Sequence, residues 1–212
     1  MPERTPEDRL REEYFDLLPE IRRVLWQLEA GIRYHSLQIL RNLKRHEQLV
    51  VKSRVKECES AVKTLRDHQE GRTFDPDGAA AYSLLDLPDL AGVRVLVFPN
   101  SKLVEVDDVL RVRFPEWTYK PVKDDLGTAL APKYYGFCDG ASGKVRGEYQ
   151  VVPMLLGLFW EVEHSAMYKF REVANSKEMQ KNRADVEHAL SHFEAGIERF
   201  VQDYTEPSSV TP

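Results

Sequence analysis

The sequence predicts a single α+β domain, with a mixed β-sheet of about five strands flanked by helices. Three observations predict it. Apolar residues recur near a 3.6-residue period over positions 6–47. Short β-branched runs follow, the strongest being Val-Arg-Val-Leu-Val-Phe at 93–98. A second amphipathic periodicity occupies positions 182–204. The chain therefore divides into an N-terminal helical segment (1–47), a mixed core (48–172) and a C-terminal helix and tail (173–212). No internal repeat and no clean linker separates them.

The first helical stripe comprises Leu10, Tyr14, Leu17, Leu18, Ile21, Val24, Leu25, Leu28, Ile32, Ile39, Leu40 and Leu43. Pro19 is expected to split it or to open a second helix, because proline donates no backbone hydrogen bond. Residues 48–56, short and β-branched, read as a strand, and 57–67 as a helix. Positions 68–82 are rich in Gly, Asp, Pro and Ala and read as a surface loop. After the strand at 93–98, Asn100 or Ser101 is expected to cap a helix reaching about 113. Further strands are expected at 117–122, 134–138 and 148–152, with a loop at 123–127. A helix is expected at 154–170, and a frayed tail at 205–212.

A chain of 212 residues buries a core without help from metals or disulfides. Its 31% charged and 42% hydrophobic content excludes a disordered chain. No apolar run approaches the roughly 20 residues of a membrane span, so no membrane partner is expected. The opening Met1-Pro-Glu-Arg-Thr-Pro-Glu-Asp has no apolar signal region, and Cys58 and Cys138 make neither a disulfide framework nor a zinc site. A cytoplasmic setting is expected. The net charge of −5 argues against general duplex-DNA binding, yet positions 41–66 hold eight Lys/Arg against three acids. Such a run is either a solvated face or a phosphate-binding surface.

Two acidic segments carry the chemistry. Asp89-Leu-Ala-Gly92-Val-Arg94 enters the strongest strand, and Glu148-Tyr-Gln150 lies on another. Carboxylates at neighbouring strand edges suit Mg²⁺, a hard ion that keeps water and phosphate oxygens as its other ligands. Alone, an aspartate before a strand is more often a turn residue. Four segments occur in order, however. Ser53-Arg54-Val-Lys56-Glu-Cys-Glu59-Ser60 comes first and the Asp89 segment second. Pro132-Lys133-Tyr-Tyr-Gly136-Phe137, leading to Glu148-Tyr-Gln150, is third; Trp160-Glu-Val-Glu163-His164-Ser-Ala-Met-Tyr168-Lys169 is fourth.

Together, over about 48–170, these resemble the synthetase domain of the RelA/SpoT family in its small stand-alone form. The resemblance implies a nucleotidyltransferase-like fold and transfer of the pyrophosphate of ATP to a ribose 3′-hydroxyl, usually of GDP or GTP. It implies Arg54, Lys56, Ser60 and Lys63 as ATP contacts; Arg72, on the 68–82 loop, is expected to close over ATP as mobile loops often do. It implies Asp89 and Glu148 as Mg²⁺ ligands, Glu148 also as a candidate base, and Gln150 as its orienting partner. Lys133, Tyr135 and Phe137 are implied on the acceptor side. Arg94 and Lys169 are implied as charge holders or ion-pair partners, and His164 belongs to the same pattern.

The third segment departs from the family. A Gly-Tyr-x-Ser-x-His run is expected; Phe137 stands at the tyrosine position, and Asp139 and Ala141 replace the serine and histidine. The arginine expected after Glu-x-Gln is also lost, and Thr64 replaces an expected lysine. Three readings follow: an alarmone synthetase with a remodelled guanine pocket, a member of the toxic branch acting on the tRNA 3′ end or an adenine nucleotide, or an inactive nucleotide- or RNA-binding member. The toxic branch would bring an antitoxin partner, and the final helix would suit a homo-oligomer. Basic residues at Lys169, Arg171, Lys177, Lys181 and Arg183 favour a tRNA acceptor mildly. The pair His188 and His192 has zinc-chelating spacing but no third ligand in sequence. Tyr134 and Tyr135 are open between sheet packing and base stacking, Phe159 and Trp160 read as core, and Asp124 and Asp125 as turn residues. The metal pattern of the family's degrading domain is absent, so synthesis is expected.

Overall fold

Thr5 opens the first helix by a reciprocal cap. Its side chain accepts from the Asp8 N–H, Asp8 returns the bond, and Pro6 occupies the first helical position. In this computed structural model, which describes residues 5–70, 82–123, 129–138, 143–169 and 176–205, helix α1 then runs unbroken over Pro6–His35. Side chains at 68–70, 129, 164, 166–169 and 205 fall outside that description, as do the expected tail beyond 205, the centre of the 68–82 loop and Asp124 and Asp125. Pro19 lies inside α1 and does not split it. Pro19 and Phe15, one turn earlier, both face solvent, so the carbonyl deprived of its donor is open to water. The break comes at buried Ser36, before the short α2, Leu37–Asn42.

Strand β1 (Gln48–Val55) and helix α3 (Cys58–Glu70) follow as expected. Strand β2 is Ala91–Phe98 and helix α4 is Leu103–Arg113. Asn100 and Ser101 do not cap α4, which opens from a 3₁₀ turn with no side-chain cap. The Asn100 amide instead donates to Glu194 at 2.8 Å, and the Ser101 N–H to Glu198 at 2.8 Å. The strand expected at 117–122 is interrupted. It yields β3, Thr118–Tyr119, and β4, Val122–Lys123, on either side of Pro121, which cannot donate to a ladder. Then come β5 (Ala129–Ala131), β6 (Lys133–Gly136), β7 (Gly147–Pro153), α5 (Met154–Lys169) and α6 (Lys177–Thr205).

The mixed sheet has the order β1-β2-β7-β6-β3, and β4 pairs with β5 as a separate ribbon. Only β2 and β7 pair in parallel; β1–β2, β7–β6 and β6–β3 are antiparallel. One face carries Val51, Val93, Val95, Val97, Tyr149 and Val151 into a core with α1 and α4. Tyr134 belongs to this core, stacked on Tyr149 at 4.7 Å with its hydroxyl on Asp107 at 2.9 Å. Because side chains alternate, the neighbouring residues project from the opposite face. At one end of that face Leu96 and Val152 pack under Leu156 and Trp160 of α5. Gly157 lets α5 lie this close, since a Cβ there would strike Leu96. At the other end the residues are polar.

Helix α6 is held by buried acids rather than by a wide apolar seam. Glu194, 1% exposed, accepts from Asn100 and, at 3.1 Å, from the Leu155 N–H. Glu187 accepts from the Trp160 indole at 3.0 Å.

Candidate active site

The register places Arg54, Gly92, Glu148 and Tyr135 in one row across four strands. Lys52, Arg94, Gln150 and Lys133 form the next row. All eight lie on the polar end of the second sheet face. Gly92 leaves a gap in the first row, between a cation and a carboxylate.

Glu148 is 6% exposed and held from three sides. Gln150 Nε2 donates to its Oε1 at 2.6 Å, Lys133 Nζ stands 3.8 Å from its Oε2, and Tyr135 stands opposite it in the strand register. Burial raises its pKa above the usual glutamate value, and the Asp89 charge pushes the same way. Lys133, Arg54 and the Gln150 bond oppose that rise. Burial and the Glu148 carboxylate together hold the Tyr135 hydroxyl in its neutral form.

Asp89 sits in the turn before β2. The Lys56 N–H donates to the Leu90 carbonyl at 2.9 Å, carrying the β1–β2 pairing one step past the strand. That step brings Lys56 Nζ to 2.6 Å from Asp89 Oδ2. The charge of Asp89 is felt at both Glu148 and Tyr135. Among the described residues no three His, Cys, Asp or Glu side chains gather around a metal position. The donor set is two carboxylates, which fits Mg²⁺, an ion that fills its remaining positions with water and phosphate.

Beside Glu148 opens a cavity of about 590 Å³. Arg54, Gly92, Arg94 and Gln150 line it from the sheet, and Trp160, Glu161, Glu163 and Arg183 from α5 and α6. Arg94 is anchored by Gln150 Oε1 at 3.2 Å and by the Gly157 carbonyl at 3.4 Å, with its guanidinium over the Trp160 ring. Burial and nearby Arg54 lower its pKa. Arg54 itself makes no ion pair among the described residues, which leaves its charge to an anion entering the cavity.

The structure thus places Arg54, Arg94, Glu148 and Gln150 in the cavity's lining, with Lys133 and Tyr135 beside Glu148 on β6. The Lys56–Asp89 pair, Ser60 and Lys63 are not among that lining; Lys63 pairs with Asp67 at 3.9 Å along the surface of α3. Phe137 stands at the end of β6, 46% exposed, under the Arg146 guanidinium. Arg72 and the side chains of His164 and Lys169 lie outside the described residues. Sequence reasoning missed Lys52, Glu161, Glu163 and Arg183 as lining residues. Lys52 was findable, two positions before Arg54 on the same strand face. Trp160 is both core and cavity wall.

Four of the eight basic residues at 41–66 are ion-paired. Lys52 pairs with Glu161 at 2.6 Å, Lys56 with Asp89, Lys63 with Asp67, and Arg66 with Glu7 at 3.2 Å. Arg183 turns inward to Glu163 and Glu187, at 3.2 Å from each. These side chains do not form a free phosphate-gripping surface. His188 and His192 bring their Nε2 atoms 3.0 Å apart on an exposed helix face, without a third ligand among the described residues. No helix is long and apolar enough to cross a membrane among the residues described.

No family model matches the sequence, and no curated protein matches it either. Solved structures do match its fold. Small alarmone synthetase 1 from Bacillus subtilis is 16% identical, with a TM-score of 0.64 over 92% of this chain and 99% of that one. The same protein bound to its product pppGpp is 14% identical by this alignment, with a TM-score of 0.65 over 92% and 100%. A GTP pyrophosphokinase family protein from Streptococcus pneumoniae is 19% identical, with a TM-score of 0.61 over 94% and 98%. The chain has the fold of the small alarmone synthetases over nearly its whole length.

Proposed function

We propose that this chain transfers pyrophosphate from ATP to the ribose 3′-hydroxyl of GDP or GTP, making (p)ppGpp and releasing AMP. One observation carries the proposal: the buried Glu148, its pKa raised, stands across Gly92 from Arg54, which makes no ion pair among the described residues. The fold, and the product named for the Bacillus neighbour, support it. In the proposed step the 3′-oxygen bonds to the β-phosphorus as the bond from that phosphorus to the AMP oxygen breaks. Glu148 takes the hydroxyl proton, a task suited to a carboxylate made more basic by burial. Gln150 and Tyr135 hold the carboxylate in one orientation. Arg54 meets the polyphosphate, and Lys56, withdrawn from Asp89, adds a second positive charge. Asp89 and Glu148 would hold Mg²⁺, which when bound supplies charge neutralisation at the phosphates.

The test is incubation of the protein with Mg²⁺ and γ-labelled ATP, in separate arms with GDP, GTP, an adenine nucleotide or bulk tRNA. Label on the guanine nucleotide, lost in Glu148→Gln, is expected. Label confined to tRNA or to adenine nucleotide moves the acceptor to the toxic-branch reading. No label in any arm overturns the enzymatic reading and leaves a nucleotide-binding protein of this fold.

A further inference from the structure

His188 and His192 stand one turn apart on α6, both exposed, with their Nε2 atoms 3.0 Å from each other. The ring centroids are 4.4 Å apart and the rings meet edge to face at 77°. The helix beneath them is fixed on its inner side. Glu187 accepts from Trp160, and Glu194 from Asn100 and Leu155, so the bonds that seat α6 also turn residues 188 and 192 outward. Two histidines four positions apart on one helix face make a ready chelate, because one turn brings a nitrogen of each ring to the same point. The close approach suits either a hydrogen shared between the rings or a cation held by both lone pairs. Bonds from imidazole nitrogen to a divalent transition metal are about 2.0 Å long. Two such bonds spanning 3.0 Å meet near a right angle, whereas a tetrahedral ion needs its nitrogens about 3.3 Å apart. A right angle between adjacent nitrogens belongs to square-planar or tetragonal coordination, the geometry of Cu²⁺ and Ni²⁺. Of these two, Cu²⁺ binds nitrogen ligands more strongly.

We infer that His188 and His192 form a surface site for one divalent ion of square-planar or tetragonal geometry, taking Cu²⁺ in preference to Zn²⁺. Among the described residues no third His, Cys, Asp or Glu side chain stands with them, so water fills the remaining positions. Loading needs no change in the backbone. The ring that donates its Nε2 hydrogen carries it on Nδ1 instead, which frees the second lone pair with no net gain or loss of a proton. The bound ion then ties residue 188 to residue 192 across one turn, a link that the folded helix offers and the unfolded chain does not. Neither histidine lines the cavity beside Glu148, so the site is independent of the proposed reaction.

Titration of the full chain with CuCl₂, followed by the visible absorption and electron paramagnetic resonance of the bound ion, tests this. Excess Mg²⁺ is included, since it occupies carboxylate oxygens and leaves imidazole free. One Cu²⁺ per chain is expected, with two nitrogen ligands resolved in the spectrum and a melting temperature that climbs with free Cu²⁺. His188→Gln and His192→Gln should each weaken that binding at least about tenfold and abolish the climb, because either leaves a single imidazole. Both variants should melt as the wild type does without metal, their side chains being exposed. A wild type that shows no bound Cu²⁺ leaves the contact a hydrogen bond between rings and overturns the inference. Unchanged Cu²⁺ affinity in either variant places the ion elsewhere on the chain and overturns it as well. One ion per two chains, a bridge between copies, does the same. Zn²⁺ bound as tightly as Cu²⁺ overturns the assignment of geometry.

Discussion

Arg54 and Glu148 flank Gly92 in a single row across β1, β2 and β7, with no side chain between them. A Cβ at Gly92 would lie 3.7 Å from the Arg54 side chain, an ordinary contact, so the strand itself tolerates a larger residue. Gly92→Val is therefore expected to fold with a near-normal melting temperature while filling the space between cation and carboxylate. Its kcat/KM for pyrophosphate transfer should fall at least tenfold, roughly 1.4 kcal/mol of lost transition-state stabilisation. Label-transfer kinetics beside thermal melting check this; equal rates would remove the gap from the site.

Glu148→Gln keeps the shape of the side chain and removes its capacity to take a proton. Transfer should fall by about 10²–10⁴-fold, the range of a lost general base. In the wild type, activity should rise with pH as the carboxylate ionises. A pH–rate profile in saturating substrates checks both points.

Stability should show the same group with the opposite sign. The folded-state pKa of Glu148 is raised above its unfolded value, so folding favours the protonated form. That contribution is complete below the unfolded pKa and is lost as pH rises through the folded one. Glu148→Gln, neutral throughout, should melt higher than wild type at neutral pH, and the difference should shrink as pH falls through the raised folded-state pKa and be gone below about 4.3. Paired melting curves across that window are the measurement.

Glu194 anchors α6 from inside the protein. Glu194→Ala would leave the Asn100 amide and the Leu155 N–H without their acceptor, at about 1–3 kcal/mol for each buried group left unsatisfied. Glu194→Gln keeps one acceptor oxygen and should lose less. Denaturant unfolding of the two variants is expected to rank them in that order.

Gly136→Ala tests the sheet behind the site. An added Cβ would fall 2.5 Å from the indole of Trp117, which is 8% exposed and cannot swing away. A loss of about 1–3 kcal/mol in unfolding free energy is expected, as for other overpacked cores.

The sheet was legible because its central strands are buried. Val93, Val95 and Val97 face one core and Leu96 the other, so 93–98 reads as a continuous apolar run. The acids at 89 and 148 were legible through residue type and order. Register was not. Only the pairing of β2 with β7 shows that Gly92 separates Arg54 from Glu148, or that Tyr134 turns into the core while Tyr135 turns to the site. Pro19 misled because its cost depends on whether the orphaned carbonyl reaches water, which needs the helix's outer face to be known. Asn100 misled because a distant acid, Glu194, outcompetes its own helix for the amide. Arg183 and Glu163 were invisible as cavity residues, since nothing in sequence states that α6 packs there.

The sole parallel pairing in the sheet has a consequence for how the protein is made. Asp89 and Arg54 emerge early on neighbouring antiparallel strands, whereas Glu148 arrives on a strand that must thread in beside β2 after some fifty intervening residues. A nascent chain ending before Gly147 holds Arg54 and lacks Glu148. Assembly order alone thus leaves the cleft open on one side until the second half of the polypeptide has emerged.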